Sequence, residues 1–135
     1  MLKNSVFRIL PIEKGKARQT PRMVTVTAVL DASGLLKSCD VRGHAGAGKP
    51  GNDIVCAAVS VLARTAQIVL SNRDGIIIRS EALRRGEFTL ETEVQNNSGK
   101  DYLAAIGTFL LEGLRSVAEE YPGNCVITIK KERRN

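Results

Sequence analysis

From Met23 onward, apolar and polar residues recur with two distinct periods. MVTVTAVL (23–30) alternates every second residue, as a half-buried strand does, and DASG (31–34) is a turn signal. LLKSCDVRG (35–43) resumes the alternation, with Leu35, Cys39, Val41 and Gly43 on one side and Ser38, Asp40 and Arg42 on the other. The two runs are predicted to form a hairpin with Cys39 in the core. Residues 53–71 (DIVCAAVSVLARTAQIVLS) then switch to a helical period, with Asn52 as a suitable N-cap and Asp53 placed against the helix dipole. At roughly 100° per residue, Ile54, Val55, Ala58, Val59, Leu62, Ala66 and Val69 make the expected apolar face. Asp53, Ser60, Arg64 and Gln67 make the polar one, and Cys56 falls on the margin between them. A cysteine that only filled space would sit nearer the middle of the apolar arc.

NRDG (72–75) closes that helix, and IIIRSEA and EFTLETEV read as a second hairpin around residues 83–86. NNSGKD opens a second helix, with Ser98 and Asp101 spaced as a capping box. Its apolar stripe is Leu103, Ile106, Leu110, Leu114, Val117 and Tyr121; Pro122 and Gly123 end it, and CVITIK (125–130) supplies a last strand. The order ββαββαβ predicts an α+β two-layer sandwich, a mostly antiparallel sheet with two helices packed on one face.

Composition adds bounds. A chain of 135 residues, 43% hydrophobic and 25% charged, suits one soluble domain with one core. No uninterrupted apolar run reaches 18 residues, so no membrane span is expected. Residues 1–22 lack the apolar core and cleavage pattern of a signal peptide, which makes the cytoplasm the expected location. Cys39, Cys56 and Cys125 are odd in number and have no CxxC spacing, which favours reduced thiols over a disulfide framework. The net charge of +6 is lopsided. Residues 1–22 carry six Lys/Arg against Glu13, and residues 130–135 carry four against Glu132. Between them, residues 23–129 hold ten bases and twelve acids. Basic termini of this kind either hold a protein near RNA by a salt-sensitive attraction or simply keep it soluble. The chain thus divides into a basic N-terminal extension (1–22), a single domain (23–130) and a short basic tail (131–135). The extension is either an added edge strand (VFRIL), a disordered basic arm, or the product of a start codon assigned upstream of the true one.

The chemistry concentrates in GHAGAGKPGNDIVCAAVS (43–60), which holds the one histidine, His44. GHAGAGK has the outline of a phosphate loop, but the next residue is Pro50, with neither a hydroxyl for magnesium nor an N–H for the cradle. Three further residues also intervene before the expected helix start. One histidine and three scattered cysteines give no zinc spacing, and neither a metal nor a cofactor is expected. A cysteine nucleophile fits better. Cys56 is expected in the first turn of a helix, where the dipole favours a thiolate and free N–H groups can hold an oxyanion. His44 is the side chain suited to proton exchange near neutrality, and Gly46, Gly48 and Gly51 let the connecting loop lie close to an extended peptide. Asp53 either orients the imidazole or is an ordinary helix-start acid. Ser60 either hydrogen-bonds near the site or is a polar-face residue, and Lys49 is read as solvated.

This stretch closely resembles the signature of the ribosomal-processing cysteine protease family, Prp: a GHA element, a glycine-containing loop, and a helix start of the form G-x-D-I-V-C-A-A-V-S, with the same interval of twelve from His to Cys. Weaker similarity runs from about Met23 to Lys130. The resemblance implies that Cys56 is the nucleophile and His44 the general acid and base, with Gly43, Asp53 and Ser60 in supporting positions. It further implies a homodimer whose substrate is the precursor of a large-subunit ribosomal protein, the one numbered twenty-seven, from which a short N-terminal extension is removed. Family members start near Met23, so residues 1–22 depart from the pattern. The rival reading is a non-catalytic ribosome- or RNA-binding module acting through the basic termini. Aromatic residues at 4%, with no stacking platform in the strands, argue against it.

Overall fold

The computed structural model describes residues 23–43, 50–82 and 87–133, with only the backbone described at 50–53. The observed order is β1 (Val24–Leu30), β2 (Leu36–Arg42), α1 (Pro50–Ser71), β3 (Ile76–Glu81), β4 (Phe88–Val94), α2 (Asn97–Glu120) and β5 (Cys125–Lys131). The strands form one sheet in the order β3-β4-β2-β1-β5. Every neighbouring pair is antiparallel except β1 with β5, which run parallel. The parallel pair follows from α2, which carries the chain back across the sheet before β5 begins. The expected α+β sandwich with two helices over one sheet face is the observed architecture.

Alternation makes β1 a core strand, with Val24, Val26, Ala28 and Leu30 buried against the helices and the residues between them half-buried. β2 departs from the expected pattern in one place. Val29 pairs with Ser38 and Leu30 with Leu36, so Lys37 is an unopposed extra residue. Such a bulge flips the side-chain parity. It turns Leu36 into the core in place of Leu35, while Cys39 and Val41 stay buried. The Thr92 hydroxyl donates to the Leu36 carbonyl at 2.6 Å. The turn before it is held by Asp31, whose carboxylate accepts from the Ser33 and Leu35 backbone N–H groups at 2.8 and 3.0 Å.

Both helix starts differ from the sequence expectation. α1 begins at Pro50, so Asn52 lies inside it rather than capping it. Proline suits the first helical position, where its fixed φ is helical and the N–H it lacks would have had no partner. At α2 the cap is Asn96, not Ser98, and its side chain accepts from the Gly99 N–H at 2.8 Å.

The buried face of α1 is Val55, Val59, Ala63, Ala66 and Leu70, while Ile54, expected in the apolar face, is 52% exposed. By length and hydropathy Ile54–Ser71 is long and apolar enough to cross a membrane, which the run-length criterion did not register. In this fold one stripe of it packs on the sheet, and 28% of that stretch is buried. α2 buries Leu103, Leu110, Leu111 and Leu114 beside it. The helices are antiparallel neighbours. Leu62 packs against Gly113, where an added Cβ would lie 2.9 Å from a Leu62 methyl. Arg73, just past the end of α1, lies 4.1 Å above the Tyr102 ring near the start of α2.

Two thiols belong to this core. Burial, reinforced by the neighbouring Asp40 charge, pushes Cys39 up to about 12, and burial pushes Cys125 up to about 11, from an ordinary 9.0. The folded state therefore holds both neutral where the unfolded chain would ionise them. Their contribution is fully present below pH 9 and is lost as pH rises through 11 to 12. In urea titrations from pH 8 to 11, the unfolding midpoint is expected to fall more steeply for the parent than for the Cys39→Ala/Cys125→Ala variant; equal slopes would contradict this.

Candidate active site

Antiparallel pairing gathers the start of β1, the end of β2, the end of β3 and the start of β4 at one end of the sheet. There, beside the first half of α1, lies a cavity of about 190 Å³. Its apolar wall comes from Val24, Val41, Val59, Ala63, Ala82 and Phe88, with Gly43, Ser60, Arg64 and Glu87 adding backbone and polar groups. Cys56 opens onto it.

The rotation of α1 explains why. With Val55 and Val59 turned fully into the core, Cys56 sits one helical step round, half-buried at the side of the helix away from α2. Ser60 follows one turn later on the same wall. Cys39 and Cys125, at 1% and 2% exposure, have no comparable access. The expected position of Cys56 at a polar-apolar margin is where the structure has it.

One part of the expected geometry changes. With α1 starting at Pro50, Cys56 is in the second turn, not the first. Its own N–H belongs to the helical ladder, and the free first-turn donors are the N–H groups of residues 51 and 52. Side chains on a helix lean toward its N-terminus, so the Cys56 sulfur still points back over that turn. The earlier start also removes the three-residue gap that counted against a phosphate loop. The objection from Pro50 itself remains.

Gly43 is placed by a backbone constraint. It ends β2 with φ 105°, in the region that favours glycine, and a Cβ there would collide with the Met23 carbonyl and lie 3.2 Å from the Val24 Cα. Gly43 itself lines the cleft. His44, Gly46, Gly48 and Lys49 lie outside the described residues, as does the Asp53 side chain; Gly51 is in the first turn of α1. Sequence reasoning did not find the opposite wall, Ala82, Glu87 and Phe88. No motif marks those residues, and only strand pairing brings them to the cysteine. Among the described residues, no group of three His, Cys, Asp or Glu is placed to hold a metal ion.

Fold and cleft together define an α+β domain with one accessible thiol at the wall of a cleft. Residues 23–126 match the family described as cysteine protease Prp, so this chain belongs to that family and is a cysteine protease. Among solved structures it is similar to SMU.848 from Streptococcus mutans, 26% identical with a TM-score of 0.68, over 82% of this chain and 96% of that one. A second is the essential ribosomal processing protease Prp from S. aureus in complex with a covalently linked product peptide. It is 26% identical with a TM-score of 0.68, over 80% of this chain and 100% of that one. The same protease in complex with a substrate peptide, at 23% identity and a TM-score of 0.68, is similar in fold. No curated protein matches.

Gly43→Ala is expected to lower stability by about 1–3 kcal/mol, since it adds both a positive-φ penalty and a backbone clash. Chemical denaturation measures this, and an unchanged midpoint would show that β2 can end in another conformation.

Proposed function

We propose that this protease removes the N-terminal extension of a bacterial large-subunit ribosomal protein, the one numbered twenty-seven, through an acyl-enzyme. The observation that carries the reading is the partition of the thiols, with Cys56 in the cleft wall and the other two shut into the core. The described activity of the S. aureus relative, a ribosomal processing protease held with a covalently linked product peptide, supports the substrate class and a covalent intermediate.

In this mechanism the Cys56 thiolate adds to the scissile carbonyl carbon and the carbonyl π electrons move onto oxygen. The first-turn N–H groups of α1 hold that oxyanion. Protonated His44 gives its proton to the leaving amine as the C–N bond breaks, leaving a thioester on Cys56. Neutral His44 then takes a proton from water, which attacks the thioester. The C–S bond breaks, and a carboxylic acid and free thiol result. Gly43 fixes the direction in which the chain leaves toward His44. Asp53 either orients the imidazole or serves the helix start, Ser60 offers a hydroxyl to the bound peptide, and Gly46, Gly48 and Gly51 let the loop close over it. The reaction takes place in the cytoplasm, where the precursor is made, with weak ribosomal RNA contact through the basic termini.

The homodimer belongs to the same proposal. Ile54, Val61 and Ile68, spaced by seven on α1, are 52%, 62% and 55% exposed, and Phe109 on α2 is 69% exposed. A heptad-spaced apolar seam is what a helix of a second copy would cover.

Incubation of the precursor with enzyme, read by mass spectrometry, is expected to give the shortened product. Cys56→Ala and His44→Ala should each cut kcat/KM by on the order of a thousandfold or more. Cleavage by Cys56→Ala at the parent rate would end the nucleophile assignment. In sedimentation, Val61→Glu/Ile68→Glu is expected to shift the protein from dimer to monomer, and a parent that is already monomeric at all concentrations would remove the dimer.

A further inference from the structure

The cavity of about 190 Å³ beside Cys56 has room for one substrate side chain, not for a length of peptide. Positioning a peptide bond for attack requires that its flanking residues be held as well. The rest of the substrate therefore lies on a neighbouring surface, and the sheet supplies one. Among the described residues β3 is an edge strand, and its last residue, Glu81, is followed by Ala82 in the cavity wall. α1 packs over the β3 side of the sheet and α2 over the β5 side. The flank of α1 turned away from α2, which carries Cys56 and Ser60, thus looks toward the free edge of β3 and not toward that of β5.

The backbone register fixes which groups that edge offers. The Gln95 N–H donates to the Gly75 carbonyl at 2.8 Å, and the same register opposes Ile76 to Val94 and Glu81 to Thr89. Hydrogen-bonded and non-hydrogen-bonded positions alternate along an antiparallel pair. Ile77, Arg79 and Glu81 therefore turn their N–H and C=O groups to β4, while Ile76, Ile78 and Ser80 turn theirs outward. Such an edge is a template for another strand unless something blocks it. β3 contains no proline, and its pairing with β4 runs without a bulge. Arg79 is drawn back toward Glu91 and Glu93 of β4, at 3.6 and 3.7 Å. Ser80, Glu81 and Ala82 are exposed.

We propose that the substrate peptide binds as an added strand on the free edge of β3, exchanging backbone hydrogen bonds with Ser80 and Ile78 while its scissile bond lies at Cys56. Ser80 is two residues from Ala82 and Ile78 four, about 7 and 13 Å at roughly 3.3 Å each. A short peptide that leaves the cavity in extended form reaches both. Main-chain pairing supplies affinity without a side-chain requirement. Sequence choice then falls to the cavity and to Ser60 and Arg64 on the α1 wall. The proposal rests on reading the cleft as the peptidase site, though not on which protein is cut.

The test is amide hydrogen exchange, followed by NMR, on the full-length Cys56→Ala variant, alone and saturated with a synthetic peptide spanning the cleaved bond. That peptide comes from the ribosomal-protein precursor or, if the precursor is not cut, from the best substrate in a peptide library digested by the parent enzyme. In the free protein the Ser80 amide is expected to exchange about tenfold or more faster than those of Ile77 and Arg79. Bound peptide should slow Ser80 by a similar factor. Saturation that leaves Ser80 fast overturns the proposal, as does a Ser80 amide already protected in the free protein. Ser80→Pro removes an outward donor and leaves the ladder to β4 in place. It is expected to raise KM about fivefold or more with the urea midpoint retained, and a KM equal to the parent's would also overturn the proposal. A precursor left uncut while a library peptide protects Ser80 would remove the ribosomal substrate and keep the binding mode.

Discussion

The rotation of α1 about its own axis is the constraint on which the site depends. Val55, Val59, Ala63, Ala66 and Leu70 lock one stripe of that helix into the core. Burying the valine and leucine side chains among them stabilises by roughly 1.5–3 kcal/mol each. Turning the helix by one residue's step would expose that stripe and press Cys56 into the sheet. Packing that looks purely structural therefore aims the sulfur into the cleft. α2 steadies it from the other side, where Leu62 meets Gly113 and leaves no room for even a methyl group.

Three thiols in one small domain show how environment assigns roles to identical groups. Cys39 lies on a central strand and Cys125 on an edge strand facing the helices, both out of contact with solvent and both held protonated by burial. Cys56 is half-buried at a groove. No property of the residue itself distinguishes them, and the difference arises from which face of which element each occupies.

Much of this was legible one element at a time. Period-two runs marked the strands, and period-3.6 runs marked both helices, because a side chain facing the core must recur once per repeat of its element. Errors gathered where a local rule had two outcomes. Gly51 and Asn52 read as loop and cap, yet the fixed φ of Pro50 lets the helix begin before them. Ser98 and Asp101 had capping spacing, but Asn96 caps the helix. In β2 a bulge at Lys37 exchanged Leu35 for Leu36 in the core, which alternation by itself cannot register. Ile54 was assigned to the buried face because a broad apolar arc on a helix does not say which part of it meets the sheet.

By itself, the sequence determined the element order, the two-layer architecture and the single stretch in which histidine and cysteine could act together. Each depends on residues near one another along the chain, where periodicity and spacing are sufficient. The tertiary structure alone decided which apolar residues of α1 are core and which are surface, and which remote residues face Cys56. Glu87 and Phe88 lie about thirty residues from the cysteine in sequence. They line its cleft only because β4 pairs with β2. Strand pairing is a long-range choice, made by the joint burial of several elements rather than by any one of them.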